Sequence, residues 1–313
     1  MRVCVNWLPL DLPRTRDVAR AARAAGLWGI GIADSPKYGE LFAACATALD
    51  ATEDLVVTTC VTNPMTRHHS VVVSAARTFE ADFPGRFRVG IGRGDSAVRS
   101  VGLTPATTSQ LVGFLETIRA SAPQVTLLAA ASGPATARGC GAVSDGVIAG
   151  VGRDTRVLSD IRRWVSADRL TSMAAPEVWG SLRLAVGRND AEVVALRRRM
   201  VPRAVGAAHF AFRSTFEGKS VPEEYQDILT DRLQAYDYGN HGRSGATSNA
   251  RLFADRPDIE DFLVDRFAIV GTVGDCRESL RQLADYVDGV FLSILFEDAL
   301  EQIEAVGEVL RGL

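Results

Sequence analysis

Short apolar runs alternate along the chain with longer segments in which apolar residues recur at helical spacing. Eight of these runs predict β-strands, at residues 3–7, 29–33, 55–61, 87–92, 125–130, 146–150, 179–186 and 290–295. The runs are nearly all apolar, which is typical of strands that are covered on both faces. The segments between them carry helix signals, as in 15–26, where Thr15 can cap the helix and Gly26 can end it.

Eight strands, each followed by a helix, predict an α/β protein with a single (β/α)8 TIM barrel spanning residues 1–313. The rival is a doubly wound open sheet, which would carry its glycine fingerprint after the first strand. Here the glycines follow the fourth strand, which favours the barrel.

The seventh and eighth predicted strands are far apart, and the stretch between them predicts an insertion over approximately 208–265. A long insertion at the catalytic face of a barrel is typically a lid or a substrate wall. An oligomer contact and a solvated loop are the alternatives.

Composition narrows the function classes. The chain has 313 residues, 47% of them hydrophobic, and a formal net charge of −3 with scattered basic residues. We therefore expect no nucleic-acid partner and no membrane association. The five isolated cysteines and the absence of a secretion signal favour a cytoplasmic protein. The four histidines form no ligand spacing, so no metal site is expected.

The stretch "GRFRVGIGRGDSAVRSVG" at 85–102 places glycines at the predicted carboxyl end of the fourth strand. It matches neither the phosphate loop that ends in G-K-S/T nor the G-x-G-x-x-G fingerprint. Glycines at this position let backbone N–H groups approach a ligand, and Arg93 can neutralise an anion. A tight turn out of a crowded barrel strand explains the same glycines.

Four segments together resemble one known family: "VTNPMTRHH" (61–69), "GRFRVGIGRGDSAVRSVGLTPA" (85–106), "SGPATARGCGAVSDGVIAG" (132–150) and "RFAIVGTVGDCRESLRQLADYVDGVFL" (266–292). They are similar to the bacterial luciferase-like superfamily. The most similar branch uses coenzyme F420 and is typified by methylenetetrahydromethanopterin reductase. The resemblance runs from the first strand to the last helix. It implies a (β/α)8 barrel whose mouth receives the ring of a flavin or deazaflavin edge-on.

The resemblance also implies which residues hold the cofactor. A non-proline cis peptide between Cys60 and Val61 would support the back of the ring, and Thr62 and Asn63 would lie along its edge. The phosphate-bearing tail would cross the mouth, nearer to Ser132, Gly133, Gly150 and Val151. The residues that would then border the ring and the substrate are Gly92, Arg93, Gly94 and Ser96.

The proton donor departs from the pattern of the family, because many relatives carry an Asp-His pair at the end of the second strand. This chain has Asp34-Ser35-Pro36 there. Three residues remain as catalytic candidates: Asp34 if it is protonated, His241 from the insertion, and Tyr38. Asp34 is equally well explained as a helix cap or a lysine partner, and His241 as a surface loop residue. Arg67 is expected to form an ion pair.

Taken together, these observations predict an F420H2-dependent oxidoreductase. It would transfer a hydride between the deazaflavin and a small organic substrate, with a biosynthetic reductase of secondary metabolism as the preferred setting. Trp7 and Asn6 are expected to line the substrate side of the mouth, although Trp7 also reads as ordinary core. The alternatives are an FMN-dependent luciferase-like monooxygenase and a non-catalytic flavin-binding barrel. A homodimer is the state that the resemblance implies.

Overall fold

The structure is a computed structural model that describes residues 1–169, 173–241 and 247–313. Its strands are β1 (Arg2–Trp7), β2 (Gly29–Ile32), β3 (Val56–Thr59), β4 (Phe87–Ile91), β5 (Thr126–Ala131), β6 (Gly146–Ala149), β7 (Glu177–Val186), β8 (Ala268–Gly271) and β9 (Gly289–Ser293). Its α-helices are α1 (Leu12–Ala24), α2 (Leu41–Asp50), α3 (His69–Asp82), α4 (Ser96–Arg99), α5 (Thr108–Ser121), α6 (Pro134–Gly141), α7 (Thr155–Ala167), α8 (Asp190–Phe212), α9 (Glu223–Gln234), α10 (Pro257–Phe267), α11 (Val273–Leu283) and α12 (Ala299–Leu310).

Eight of the strands close into a parallel barrel. Strands β1 to β7 pair in sequence, and β9 closes the ring by pairing with both β7 and β1. This confirms the predicted (β/α)8 fold, and the predicted strand ends differ from the observed ones by at most two residues.

Strand β8 was missing from the sequence-based prediction. It lies outside the barrel and pairs with Arg183–Val186, whereas β6 pairs with Glu177–Gly180. Strand β7 is ten residues long and extends past the end of β6. Because an uncovered strand edge leaves N–H and C=O groups without partners, β8 completes the hydrogen bonding of this extension.

The amino end of the barrel interior is filled by charged and aromatic side chains. The Glu177 carboxylate accepts a hydrogen bond from Arg88 at 2.7 Å and forms an ion pair with Arg2 at 2.8 Å. The guanidinium groups of Arg2 and Arg88 lie over the rings of Trp28 and Trp179. The next interior layer consists of Cys4, Leu128, Ile148 and Phe291, packed with Trp179. The open space in the barrel is therefore confined to its carboxyl end.

The helices pack on the outside of the barrel through one apolar face each. In α7, for example, Val157, Ile161 and Val165 are buried against the sheet, and Asp154 caps the helix by accepting from Arg156 N at 3.0 Å. None of the helices that the structure describes is long and apolar enough to span a bilayer.

The predicted insertion, 208–265, contains the end of α8, then α9, and then α10, and its residues 242–246 lie outside the described residues. These helices build a core of their own, separate from the main one. Buried residues of this core include Phe212, Leu229, Phe253 and Leu263. The segment therefore rests on its own packing beside the carboxyl end of the barrel.

Candidate functional site

A cavity of about 750 Å³ opens at the carboxyl ends of the barrel strands. Among its walls are Phe210, Tyr236 and Tyr238 of the segment 208–265. Many of the residues predicted from sequence line it: Asn6, Trp7, Asp34, Tyr38, Cys60, Val61, Asn63, Gly92, Arg93, Gly94, Ser96, Ser132, Gly150 and His241. The structure places three predicted residues, Thr62, Gly133 and Val151, outside this lining. Whether the lining residues hold a ligand stays a prediction.

One wall of the cavity is made of small residues at the ends of β4, β5 and β6. They are Gly92, Ala130 and Gly150. A Cβ atom added at Gly150 would meet no atom within 4 Å, so its side-chain space belongs to the cavity. A Cβ at Gly92 would come within 2.9 Å of Val61 Cγ2. The peptide between Cys60 and Val61 beside this wall is cis, as the resemblance implied.

Gly94 has a second reason to be glycine. Its φ is +75°, and an added Cβ would lie 2.3 Å from Val98 Cγ2 and 3.1 Å from Asn63 Cβ. A side chain there would disturb the loop even with no ligand bound. Gly94 thus lines the cavity and also forms the tight turn that was the alternative explanation of these glycines.

Asp34 lies at the carboxyl end of β2 and is tied to the loop after β3. Its carboxylate accepts hydrogen bonds from Thr62 Oγ1 at 2.7 Å and from Arg67 at 2.9 and 3.1 Å. The expected ion pair of Arg67 is therefore present. Both oxygens of the carboxylate are thus held by the planar fork of Arg67, and one of them also by Thr62. Asp34 is thus better suited to positioning Thr62 and Arg67 than to donating a proton.

The side chains of Asn63 and Trp7 also form hydrogen bonds within the protein. The Asn63 side chain accepts from the backbone N–H groups of Met65 and Thr66 at 3.0 and 2.9 Å, which fixes a turn. The Trp7 indole is buried between the barrel and the helices, where it donates to Thr15 Oγ1 at 3.0 Å. The amide oxygen of Asn63 is therefore committed to the turn, and its NH2 group, which donates to Thr66 Oγ1 at 2.9 Å, keeps one hydrogen for another contact.

A cluster of aromatic and imidazole side chains forms the opposite wall. Tyr236 Oη lies 2.6 Å from His241 Nδ1. The His209 ring stacks on Tyr236 with centroids 4.2 Å apart, and its Nε2 lies 3.0 Å from Tyr238 Oη. The Phe210 ring meets His241 edge-on at 5.1 Å. Sequence reasoning proposed only His241 of this cluster, since the other members are brought to it by the packing of α8 against the segment after α9.

Burial controls the protonation of this cluster. It lowers the pKa of both His209 and His241 to about 4, opposed at His209 by Asp95 and reinforced at His241 by Arg183. It also raises the pKa of Tyr236 well above its usual range. At neutral pH the two imidazoles are therefore neutral and the phenol is protonated.

These shifts predict a loss of stability in mild acid. The unfolded histidines take up protons near pH 6.5, whereas the folded ones do so only near pH 4. Folding stability is thus complete above pH 6.5 and falls between pH 6.5 and 4, by on the order of 3 kcal/mol for the fully buried His209. Urea unfolding at several pH values measures this slope. We expect His209→Gln to flatten it, whereas the control His69→Gln should leave it unchanged; an unaltered slope in His209→Gln would contradict the assignment.

Asn6 and Arg183 lie in one row across the floor of the cavity, on either side of Ser293. Both are in register with Ser293, on β1 and β7 respectively. Asn6 donates to Ser293 Oγ at 3.1 Å, and its buried Oδ1 has no hydrogen-bond partner among the described residues. An orphaned acceptor of this kind is expected where a ligand completes the site.

The cavity carries a surplus of positive charge. Its lining contains the acidic residues Asp34 and Asp95, and the basic residues are Lys37, Arg93, Arg99, Arg183, Arg203 and Arg213. Such a lining suits a phosphate-bearing ligand. Among the described residues, no group of three or more His, Cys, Asp or Glu side chains is placed to hold a metal ion.

Most of the chain matches a known protein family. A family model described as luciferase-like monooxygenase matches residues 9–120 and 106–288. The chain belongs to this luciferase-like family. The family that the sequence motifs implied is thereby confirmed. None of the curated protein sequences matches this luciferase-like protein significantly.

Solved structures share the fold of this luciferase-like protein at low identity. The coenzyme F420 dependent tetrahydromethanopterin reductase from Methanopyrus kandleri is 15% identical with a TM-score of 0.74, over 100% of this chain and 99% of that one. An F420-dependent secondary alcohol dehydrogenase in complex with an F420-acetone adduct is 14% identical (TM-score 0.69; 98% and 97% covered). A riboflavin lyase with modified FMN is 14% identical (TM-score 0.67; 100% and 92% covered). At these identities the likeness shows the fold alone.

Proposed function

We propose that this protein is an F420-dependent oxidoreductase that reduces a C=C, C=N or C=O bond of a small organic substrate. The proposal is carried by one observation. A wall of small residues and the Tyr236–His241 pair, which can donate a proton, line the same cavity. Similar structures include an F420-dependent reductase and an F420-dependent dehydrogenase, and the motifs of the chain most resemble that branch.

The residues present fit a planar ring with a phosphate-bearing tail. Gly92, Ala130 and Gly150 leave flat space for the ring, and the side-chain space at Gly150 is open. This proposal assigns Gly150 to the ring, whereas the resemblance implied that it lies near the phosphate-bearing tail. Ser132 and the arginines of the rim would hold the anionic tail. A bound reduced deazaflavin supplies a hydride and, having carbon in place of the flavin N5, reacts poorly with dioxygen.

The protein supplies the proton. Because Tyr236 keeps its proton at neutral pH, its hydroxyl donates to His241 Nδ1, and the ring hydrogen of His241 then resides on Nε2. His241 lines the cavity, so Nε2–H can donate to the oxygen or nitrogen of the bond being reduced. As that proton leaves, Tyr236 passes its own proton to Nδ1, the nearby charge of Arg183 stabilises the phenolate that is left, and water returns a proton to it before the next turnover. The substrate thus gains a hydride at carbon and a proton at the heteroatom, or at the second carbon of a C=C bond.

Titration of the purified protein with oxidised F420 and with FMN tests the cofactor. We expect F420 to bind at least about tenfold more tightly than FMN, a difference of about 1.4 kcal/mol. Tight binding of FMN with none of F420 would overturn the proposal in favour of an FMN-dependent monooxygenase, which the family description and the FMN-containing lyase structure keep as second candidate. Cofactor binding without turnover of any carbonyl or alkene substrate would favour a non-catalytic barrel. The homodimer stays a prediction.

A further inference from the structure

Arg183 is the cation that lies deepest in the cavity among its basic lining residues, since it projects from a barrel strand. It belongs to β7 and stands in register with Ser293 of β9, which in turn stands beside Asn6 of β1. Asn6, Arg183 and Ser293 all line the cavity. By contrast, Arg93, Arg99 and Arg213 belong to the loop after β4, to α4 and to the end of α8, at the rim.

No group in the described part of the chain compensates the charge of Arg183. Among the described residues it forms no ion pair and no hydrogen bond through its side chain, and neither acidic residue of the lining is free for it. Asp34 is paired with Arg67, and Asp95 with Arg99 at 2.6 Å. Burial lowers the pKa of the Arg183 guanidinium to about 10, which leaves it charged at neutral pH.

A ligand that fills the cavity displaces the water around this guanidinium. A desolvated cation without a partner is costly, so the ligand that fits best is one that brings an anion. The planar fork of arginine matches a carboxylate through two parallel hydrogen bonds. The phosphate of the cofactor would have other cations available at the rim, where Arg99 and Arg213 line the cavity at 5.5 and 6.0 Å from the centre of the Tyr238 ring.

We infer that Arg183 anchors the carboxylate of the substrate, which makes the substrate a small oxo- or enoic acid. The inference rests on the proposed function and names its substrate class. Arg183 also adjoins the proton donors electrostatically, since its charge acts on both Tyr236 and His241. A carboxylate on Arg183 would therefore hold a reducible bond a few atoms away within reach of His241.

The test uses benzoate and benzamide, which have nearly the same shape and differ in charge. Calorimetry measures both dissociation constants on cofactor-loaded wild-type protein and on the variants Arg183→Gln and Arg183→Lys. We expect wild type to prefer benzoate at least about tenfold, Arg183→Gln to lose the preference and Arg183→Lys to keep part of it. The matched control is Arg20→Gln on the outer face of α1, where the preference should be unchanged.

Each possible outcome of this test either supports or overturns the inference. Equal affinity of wild type for benzoate and benzamide overturns the inference without any variant. A tenfold weaker cofactor affinity in Arg183→Gln with an unchanged preference for benzoate also overturns it, because the guanidinium then serves the ring. If Arg183→Gln fails to fold, Arg183→Lys and wild type carry the comparison. A protein that takes FMN, rejects F420 and still prefers benzoate through Arg183 loses the proposed function and the oxo- or enoic acid, and keeps only Arg183 as a carboxylate anchor.

Discussion

Replacing Gly150 with valine is expected to abolish cofactor binding while the barrel remains folded. An added Cβ at Gly150 meets nothing within 4 Å, and its backbone is outside the left-handed region that favours glycine. The Cβ of the new side chain therefore meets no protein atom, and the side chain extends into the space that a ring would need. We expect the dissociation constant of the cofactor to rise at least about 100-fold, or about 2.7 kcal/mol, with little change in melting temperature.

The matched control is Gly113→Val. Gly113 also has no atom within 4 Å of an added Cβ, but it lies on α5, outside the cavity lining. Cofactor affinity should be unchanged in this variant. Wild-type affinity in Gly150→Val would show that the ring does not lie against β4–β6 and would remove the main support for the placement of the cofactor.

The second large effect is expected from Tyr236→Phe. This variant removes the hydroxyl that donates to His241 Nδ1 and keeps the ring that stacks on His209. Because positioned proton donors contribute roughly 100- to 10,000-fold to such reactions, kcat for ketone reduction should fall about 100-fold or more. The dissociation constant of the cofactor should hardly change. Steady-state kinetics together with a cofactor titration separate the two quantities.

His241→Gln should have a similar effect, and the double variant should be no worse than the stronger single one. Two residues that pass the same proton act as a unit, so their effects do not add. The matched control is Tyr225→Phe, whose ring packs on Phe262 away from the cavity. Additive losses in the double variant would contradict a relay through His241.

The barrel was predictable because each of its eight strands is covered on both faces and reads as an apolar run. Strand β8 was not predictable, because its four residues form a strand only where β7 extends past the end of β6. An extension of this kind depends on the relative lengths of neighbouring strands, which no local pattern reveals. Helical segments follow ordinary local rules, and Thr107 caps α5 in this way. The predicted cap of the first helix was wrong, because Asp11 caps α1 and Thr15 lies inside the helix.

The parts of the site that depend on backbone conformation were predictable from the sequence. The parts that depend on contacts between long side chains were much less so. Glycines at the end of β4 and the cis peptide at Cys60–Val61 followed from motifs and resemblance. Arg183 was missed because an arginine inside an apolar strand carries no motif. Asn63 lies at the expected place, but its amide oxygen accepts two backbone hydrogen bonds of a turn, and its contact with a ring stays a prediction. Such outcomes depend on competition for hydrogen-bond partners between residues distant in sequence.

The charged and aromatic plug at the amino end of the barrel has a kinetic consequence. Arg2, Arg88 and Glu177, together with Trp179, leave that end no passage. Under the proposed function, the cofactor and the substrate would both enter and leave through the opening at the carboxyl end, so each would block the path of the other. A substrate that stays bound over the oxidised cofactor would keep the cofactor from leaving. Turnover should therefore slow at high substrate concentration.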